Sequence, residues 1–132
     1  RLGQIFADAL CRRDPLADNA AREKELNRPM RSPLIVTVCA EIIENNPKVP
    51  VVEQVVTVGA AAQNMLNAAH AMGYAAIMLT GKNAHDPHVK LALGLQPKDE
   101  IVGFLYFGTP EGDIRPKRRP AASDFVREWT GE

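Results

Sequence analysis

Three groups of residues in this chain have types and spacings that could do chemistry. His85 and His88 flank Asp86-Pro87. Arg115, Lys117, Arg118 and Arg119 form a basic run between prolines. Thr80-Gly81 closes the apolar run 75–79, where a strand ends on two small residues. Two loop imidazoles are too few for a metal site, which needs more converging ligands. Asp-Pro reads instead as a helix start, with Asp86 as N-cap and Pro87 at the first helical position. The basic run is either a solvated surface or a phosphate clamp, because guanidinium and ammonium groups pair well with phosphate oxygens. The Thr-Gly step is either a plain turn or a place where backbone N–H groups meet a ligand. His70 reads as a partly buried structural histidine. Glu41, Glu44 and Glu53 read as surface or helix-start carboxylates, not as an acid/base pair. Neither a Gly-x-Ser-x-Gly elbow nor a phosphate-binding glycine loop is present in the sequence. No side chain stands out as a nucleophile. A chain so short of catalytic side chains suits a scaffold whose cofactor carries the reaction.

The elements that must position these groups follow from hydrophobic spacing. Leu2, Ile5, Phe6, Ala9 and Leu10 share one face of a helix that Asp14-Pro15 ends. Residues 18–28 read as a charged, exposed helix capped by Asp18. Residues 33–42 are short, β-branched and apolar, as expected of a buried strand. Residues 44–50 are a polar surface loop. Residues 51–72 form the longest helix, Ala-rich toward its end and stopped by Gly73. Its scarcity of charge predicts a central helix buried on most sides. Gly59, Ala60, Ala61 and Ala62 would allow close helix approach, in a core or at a dimer seam. Residues 74–79 are a second strand, 87–93 a short helix, and 100–108 a third strand. An amphipathic tail segment begins at Ser123. The order is helix, helix, strand, helix, strand, helix, strand, tail, a mixed arrangement of helices on a small sheet.

Composition bounds the class. The 132 residues suffice for one domain with a real core. A formal net charge of +0 and an aromatic content of 5% argue against nucleic acid and anionic membrane as partners. Cys11 and Cys39 match no zinc pattern and make no disulfide framework. Cys39 reads as a small buried hydrophobe, and a cytoplasmic location is expected. No stretch is long and apolar enough to span a bilayer.

Three pieces in order, "RSPLIVTVCAEI", "VPVVEQVVTVGAAAQNMLNAAHAMGYAAIMLTG" and "DEIVGFLYFGTPEG", resemble the FMN-dependent nitroreductase family. The likeness runs from about residue 29 to about 110. It implies an α+β fold, a sheet with flanking helices, in a single nitroreductase-family domain over residues 1–132. It also implies a homodimer with FMN sites at the interface. NAD(P)H would reduce the flavin, and a nitroaromatic, quinone or similar acceptor would reoxidise it in a ping-pong cycle. Carried over position by position, the FMN segment falls on Met78, Leu79, Thr80 and Gly81. The NAD(P) segment falls on Ala68, Ala69, His70, Ala71, Met72 and Gly73. Lys117 and Arg119 match a Lys-x-Arg spacing that the family sets against the FMN phosphate. Leu79 departs from the Arg found in similar members, which leaves only backbone contacts there. The family's Arg-Arg-Ser motif and first strand have no counterpart here. Arg12-Arg13-Asp14 lies too close to the first strand to be that motif, so the resemblance implies an N-terminally truncated chain. A non-catalytic nucleotide- or flavin-binding module, or an inactive fragment, stands as the alternative.

Overall fold

The structure is a computed structural model that describes residues 1–112 and 118–131. Helix α1 (Leu2–Arg13) and helix α2 (Asn19–Asn27) lead into a 3-10 turn at Arg28–Arg31. Strand β1 (Leu34–Ala40), helix α3 (Val51–Ala71) and strand β2 (Ala75–Leu79) follow. The short helices α4 (Gly81–Ala84) and α5 (Pro87–Ala92) lead into strand β3 (Glu100–Gly108). A second 3-10 turn covers Ala122–Asp124.

The three strands form one antiparallel sheet with β3 in the middle, order β1-β3-β2. Ile35 and Ile77 face Tyr106 from either side, and Leu34 and Ala76 face Phe107. Alternation along a strand then gives the sheet two distinct faces. Phe104 and Tyr106 point toward α1, α4 and α5. There Phe6 meets Phe104 edge to face, with ring centroids 5.2 Å apart and planes at 76°. Ala9, Ala84, Val89 and Ile101 complete this core. Leu105 and Phe107 point to the other face, which α3 covers. A bulge between Val38 and Cys39 shifts the register late in β1.

Local chemistry explains the joints. Asp18 caps α2 by accepting from the Ala21 N–H at 2.7 Å, and Asp86 caps α5 through the N–H groups of His88 and Val89. The Gln54 side chain ties down the loop before α3. It accepts from the Ile43 N–H and donates to the carbonyls of Ile43 and Val49. Asp99, buried under the start of β3, accepts from the N–H groups of Ile42 at 2.9 Å and Gln96 at 2.8 Å. These two bonds hold its carboxyl below the usual carboxylate range.

Several expectations need correction. Helix α3 is not buried on most sides: Ala62 and Ala69 are its buried residues, and Val52 and Val56 stand about two-thirds exposed. Its low polarity reflects a one-sided sheet contact plus an uncovered apolar face. His70 is exposed, because it lies on the side of α3 turned away from the sheet. Cys39 is half-buried, and burial, with Asp99 and Glu41 nearby, pushes its thiol up. The tail after Ser123 forms no longer helix, and its Phe125, Val126 and Trp129 are exposed. The 3-10 turn at Arg28–Arg31 and the four-residue helix α4 have no clear hydrophobic period and escape a sequence reading.

Candidate functional site

Strand β2 ends at Leu79, and the chain turns at Thr80-Gly81 directly into α4. Gly81 adopts φ +62°, in the left-handed region that favours glycine. A Cβ placed there would meet nothing within 4 Å, so the backbone at this step borders open space. Gly81 also lines a cleft of about 360 Å3. The cleft is lined by the buried Phe6, Phe104 and Tyr106, by the half-buried Leu79 and Arg28, and by the exposed Arg31. Met78, Thr80 and Gly81 line it too, so the structure brings all four residues of the 78–81 segment to one cavity.

A charge network fixes the rear wall. Arg13, at the end of α1, pairs with the buried Asp86 and donates to the Asn83 side-chain oxygen at 3.0 Å. Asn83 in turn donates to Glu25 at 2.8 Å. Glu25 receives two bonds from Arg28, at 2.9 and 2.6 Å. Burial pushes the Glu25 carboxyl up. The bonds from Arg28 and Asn83, with the charges of Arg28 and Arg13, outweigh that and hold it below its usual range. Residues from α1, α2, α4 and the turn before α5 thus lock together behind the Thr80-Gly81 step.

A second cleft of about 440 Å3 continues along the same side of the sheet, over β2. It shares Arg31, Leu79 and Tyr106 with the first, and Ile77 and Ala75 line it as well.

The other expected residues lie elsewhere. Ala68, Ala69 and Met72 line an apolar cleft of about 520 Å3 between α3 and the opposite face of the sheet, with Val36 and Phe107. His70, Ala71 and Gly73 sit exposed around the end of α3. Within one chain the two expected nucleotide segments therefore occupy opposite faces. Arg118 and Arg119 are exposed and line none of these clefts. Lys117 and Arg115 lie outside the described residues. His85 is exposed and His88 half-buried, and no metal-ligand cluster forms among the described residues.

Arg28, Arg31, Asn83 and Tyr106 are site residues that sequence reasoning missed. The arginines stand in a proline-bracketed connection that reads as a linker, and Tyr106 reads as one more apolar position of a strand. Only the alternation of β3, which places Tyr106 on the face opposite Phe107, hinted at its direction.

Comparison with known proteins adds a family. The model of the nitroreductase family matches residues 1–109. The Escherichia coli K12 protein named "Putative NAD(P)H nitroreductase YdjA" is 44% identical over 95 residues, covering 72% of this chain and 51% of that protein. A Haemophilus influenzae protein named "Putative NAD(P)H nitroreductase" is 30% identical over 104 residues, 78% of this chain and 56% of the relative. The chain spans about half the length of these curated relatives. The crystal structure of a nitroreductase-like family protein from Bacillus cereus superimposes with a TM-score of 0.73 at 17% identity, over 98% of this chain and 68% of that one. That likeness shows the fold.

Proposed function

The chain belongs to the nitroreductase family, and on that premise we propose that it serves an FMN-dependent oxidoreductase acting from NAD(P)H to a nitroaromatic, quinone or similar acceptor. The observation that carries the reading is the β2 terminus: the family's flavin segment, Met78 to Gly81, converges on one cleft with Phe6 and Phe104. On this reading the flat heteroaromatic ring would lie in the cleft that Leu79 and Phe104 line. The left-handed Gly81, with no atom ahead of it, allows close backbone approach. Bound FMN would supply the redox chemistry, taking two electrons from NAD(P)H and passing them on in ping-pong order. The chain's own task is to bind and orient. Backbone N–H groups at Thr80 and Gly81 would stabilise negative charge developing on the ring system. Leu79, in place of an arginine, contributes packing alone.

The reading keeps Ala68 to Gly73 as the NAD(P) segment and Lys117 and Arg119 as phosphate ligands. Segments on opposite faces of one sheet can serve one site only across an interface, so the reading includes a homodimer. Its support is the uncovered apolar face of α3 at Val52 and Val56, with Ala60 on the same side. Among the described residues no helix is long and apolar enough to cross a membrane. The free thiols Cys11 and Cys39 suit a reducing compartment, and the reading places the protein in the cytoplasm.

The test is the visible absorbance of the purified chain with FMN, before and after NADPH. A perturbed flavin band that bleaches on reduction supports the oxidoreductase. A perturbed band that never bleaches supports a non-catalytic flavin-binding module instead. An unperturbed spectrum of free FMN overturns flavin binding by this chain. Sedimentation of the same sample reads the dimer.

A further inference from the structure

The tail of the chain and the α3 side of the sheet each leave apolar surface uncovered. In the tail, Phe125, Val126 and Trp129 are exposed, Trp129 at 86%. Large apolar side chains grouped in water are costly and mark a surface that meets another. The tail also has local order. Its 3-10 turn runs on by a further bond, in which the Val126 N–H donates to the Ala122 carbonyl at 3.0 Å. The Asp124 carboxylate accepts from the Ala121 N–H at 3.1 Å and steadies the start. At helical spacing, Phe125, Val126 and Trp129 share one face, and Asp124, Arg127 and Glu128 share the other. The tail is the start of an amphipathic turn whose apolar side faces solvent.

The cleft of about 520 Å3 between α3 and the sheet is a matching surface. Leu34, Val36, Met65, Met72, Tyr74 and Phe107 line it, and no charged side chain does. Leu34, Met72 and Tyr74 are themselves exposed. Laying the apolar face of a short helical turn into an apolar groove is a general mode of recognition. Gly108 and Thr109 line the same groove, so the chain leaves β3 at the groove itself. Phe125 lies sixteen positions after Thr109, and an extended chain covers about 3.3 Å per residue. From Met65 to Met72 the helix rises only about 10 Å. The tail therefore reaches the whole groove from its own point of attachment. A tether of this kind sets a local concentration on the order of millimolar. That favours the chain's own tail over a second copy or a foreign peptide.

We propose that the tail is a strap that closes on its own chain, seating Phe125, Val126 and Trp129 in the groove between α3 and the sheet. The structure shows the strap open. Closure covers Ala68, Ala69 and Met72, so on the reading above it competes with NAD(P) for that segment. The docking itself rests on neither flavin nor nucleotide. The Thr80-Gly81 cleft, on the other face of the sheet, stays uncovered.

Trp129 is the single tryptophan of the chain, so its emission and its quenching by acrylamide report the strap directly. The whole chain is measured beside Phe125→Asp, Met72→Glu and Leu16→Ser. Phe125, Met72 and Leu16 are all more than two-thirds exposed, so each variant keeps the folded body, which far-ultraviolet dichroism checks. Leu16 lines none of the three clefts and serves as the control. The expected result is blue-shifted, acrylamide-protected emission from the chain and from Leu16→Ser. In Phe125→Asp and Met72→Glu the emission should shift to that of the urea-unfolded chain. Met72→Glu is then refolded with an excess of the double variant Phe125→Asp/Trp129→Phe, which offers a vacant groove and no tryptophan. Closure within one chain leaves the red-shifted emission in place. Recovery of the blue shift in this mixture overturns the proposal, because the tail then docks on a second copy. So does emission from the folded chain that matches the unfolded one, or a blue shift that survives either Phe125→Asp or Met72→Glu.

Discussion

Arg13 and Asn83 meet at 3.0 Å across seventy residues of chain, the guanidinium donating to the side-chain carbonyl. This bond joins the end of α1 to the middle of α4, two residues beyond the left-handed Gly81. Asn83 spends its amide on Glu25 as well, so one buried side chain holds α1, α2 and α4 together. The Thr80-Gly81 step is thereby braced from behind by elements that precede it by more than fifty residues. Asn83→Leu would leave Glu25 and Arg13 each short of a partner. A loss of about 1–3 kcal/mol is expected, read as a lower urea midpoint with an unchanged slope. If the flavin reading holds, FMN affinity falls with it, because the cleft wall moves.

Gly81 itself tests the backbone requirement. No neighbouring atom opposes a side chain there, so Gly81→Ala isolates the conformational term. A left-handed alanine costs roughly 1–2 kcal/mol. The expected outcome is a stability loss of that size by denaturant titration, with no change in far-ultraviolet dichroism.

Gly3 is a test of close helix contact. A Cβ at this position would lie 2.1 Å from the Leu26 carbonyl oxygen, which is backbone and cannot rotate away. Helix α1 approaches the end of α2 only because Gly3 has no side chain. Gly3→Ala should part the two helices and cost upward of about 2 kcal/mol despite the better helix propensity of alanine. Thermal unfolding checks it: a rise in melting temperature would contradict the packing described here.

Asp99 sets an acid limit. Its carboxyl is held below the ordinary range by the Ile42 and Gln96 N–H groups. A group with a depressed folded pKa contributes stability above its unfolded value and loses it as pH falls through the folded one. Stability should therefore decline below about pH 4, with Glu25, also depressed, adding to the slope. Asp99→Asn should flatten this decline and lower stability at neutral pH. Urea midpoints from pH 7 down to 3 give the comparison.

Much of this protein is legible in its residues one stretch at a time. Asp18 and Asp86 announce helix starts because a side-chain oxygen next to free N–H groups is a local event. The three strands are legible because β-branched and apolar runs bounded by turn residues need no distant partner to be recognised. The family, too, was legible, since three ordered pieces carry it. The burial of α3 was not, because a lightly polar helix looks the same whether a sheet covers one side or neighbours cover all. Nor was the site's chemistry. Tyr106 and Arg31 lie seventy-five positions apart, and the antiparallel pairing of β2 with β3 brings Leu79 and Ile77 beside them. Local propensity and hydrophobic spacing determined the elements and their order. Which side chains share a cleft depended on register, on the alternation of side chains across a strand, and on where α1 and the Arg28–Arg31 turn fold back. Those are long-range relationships that arise only once the sheet is formed.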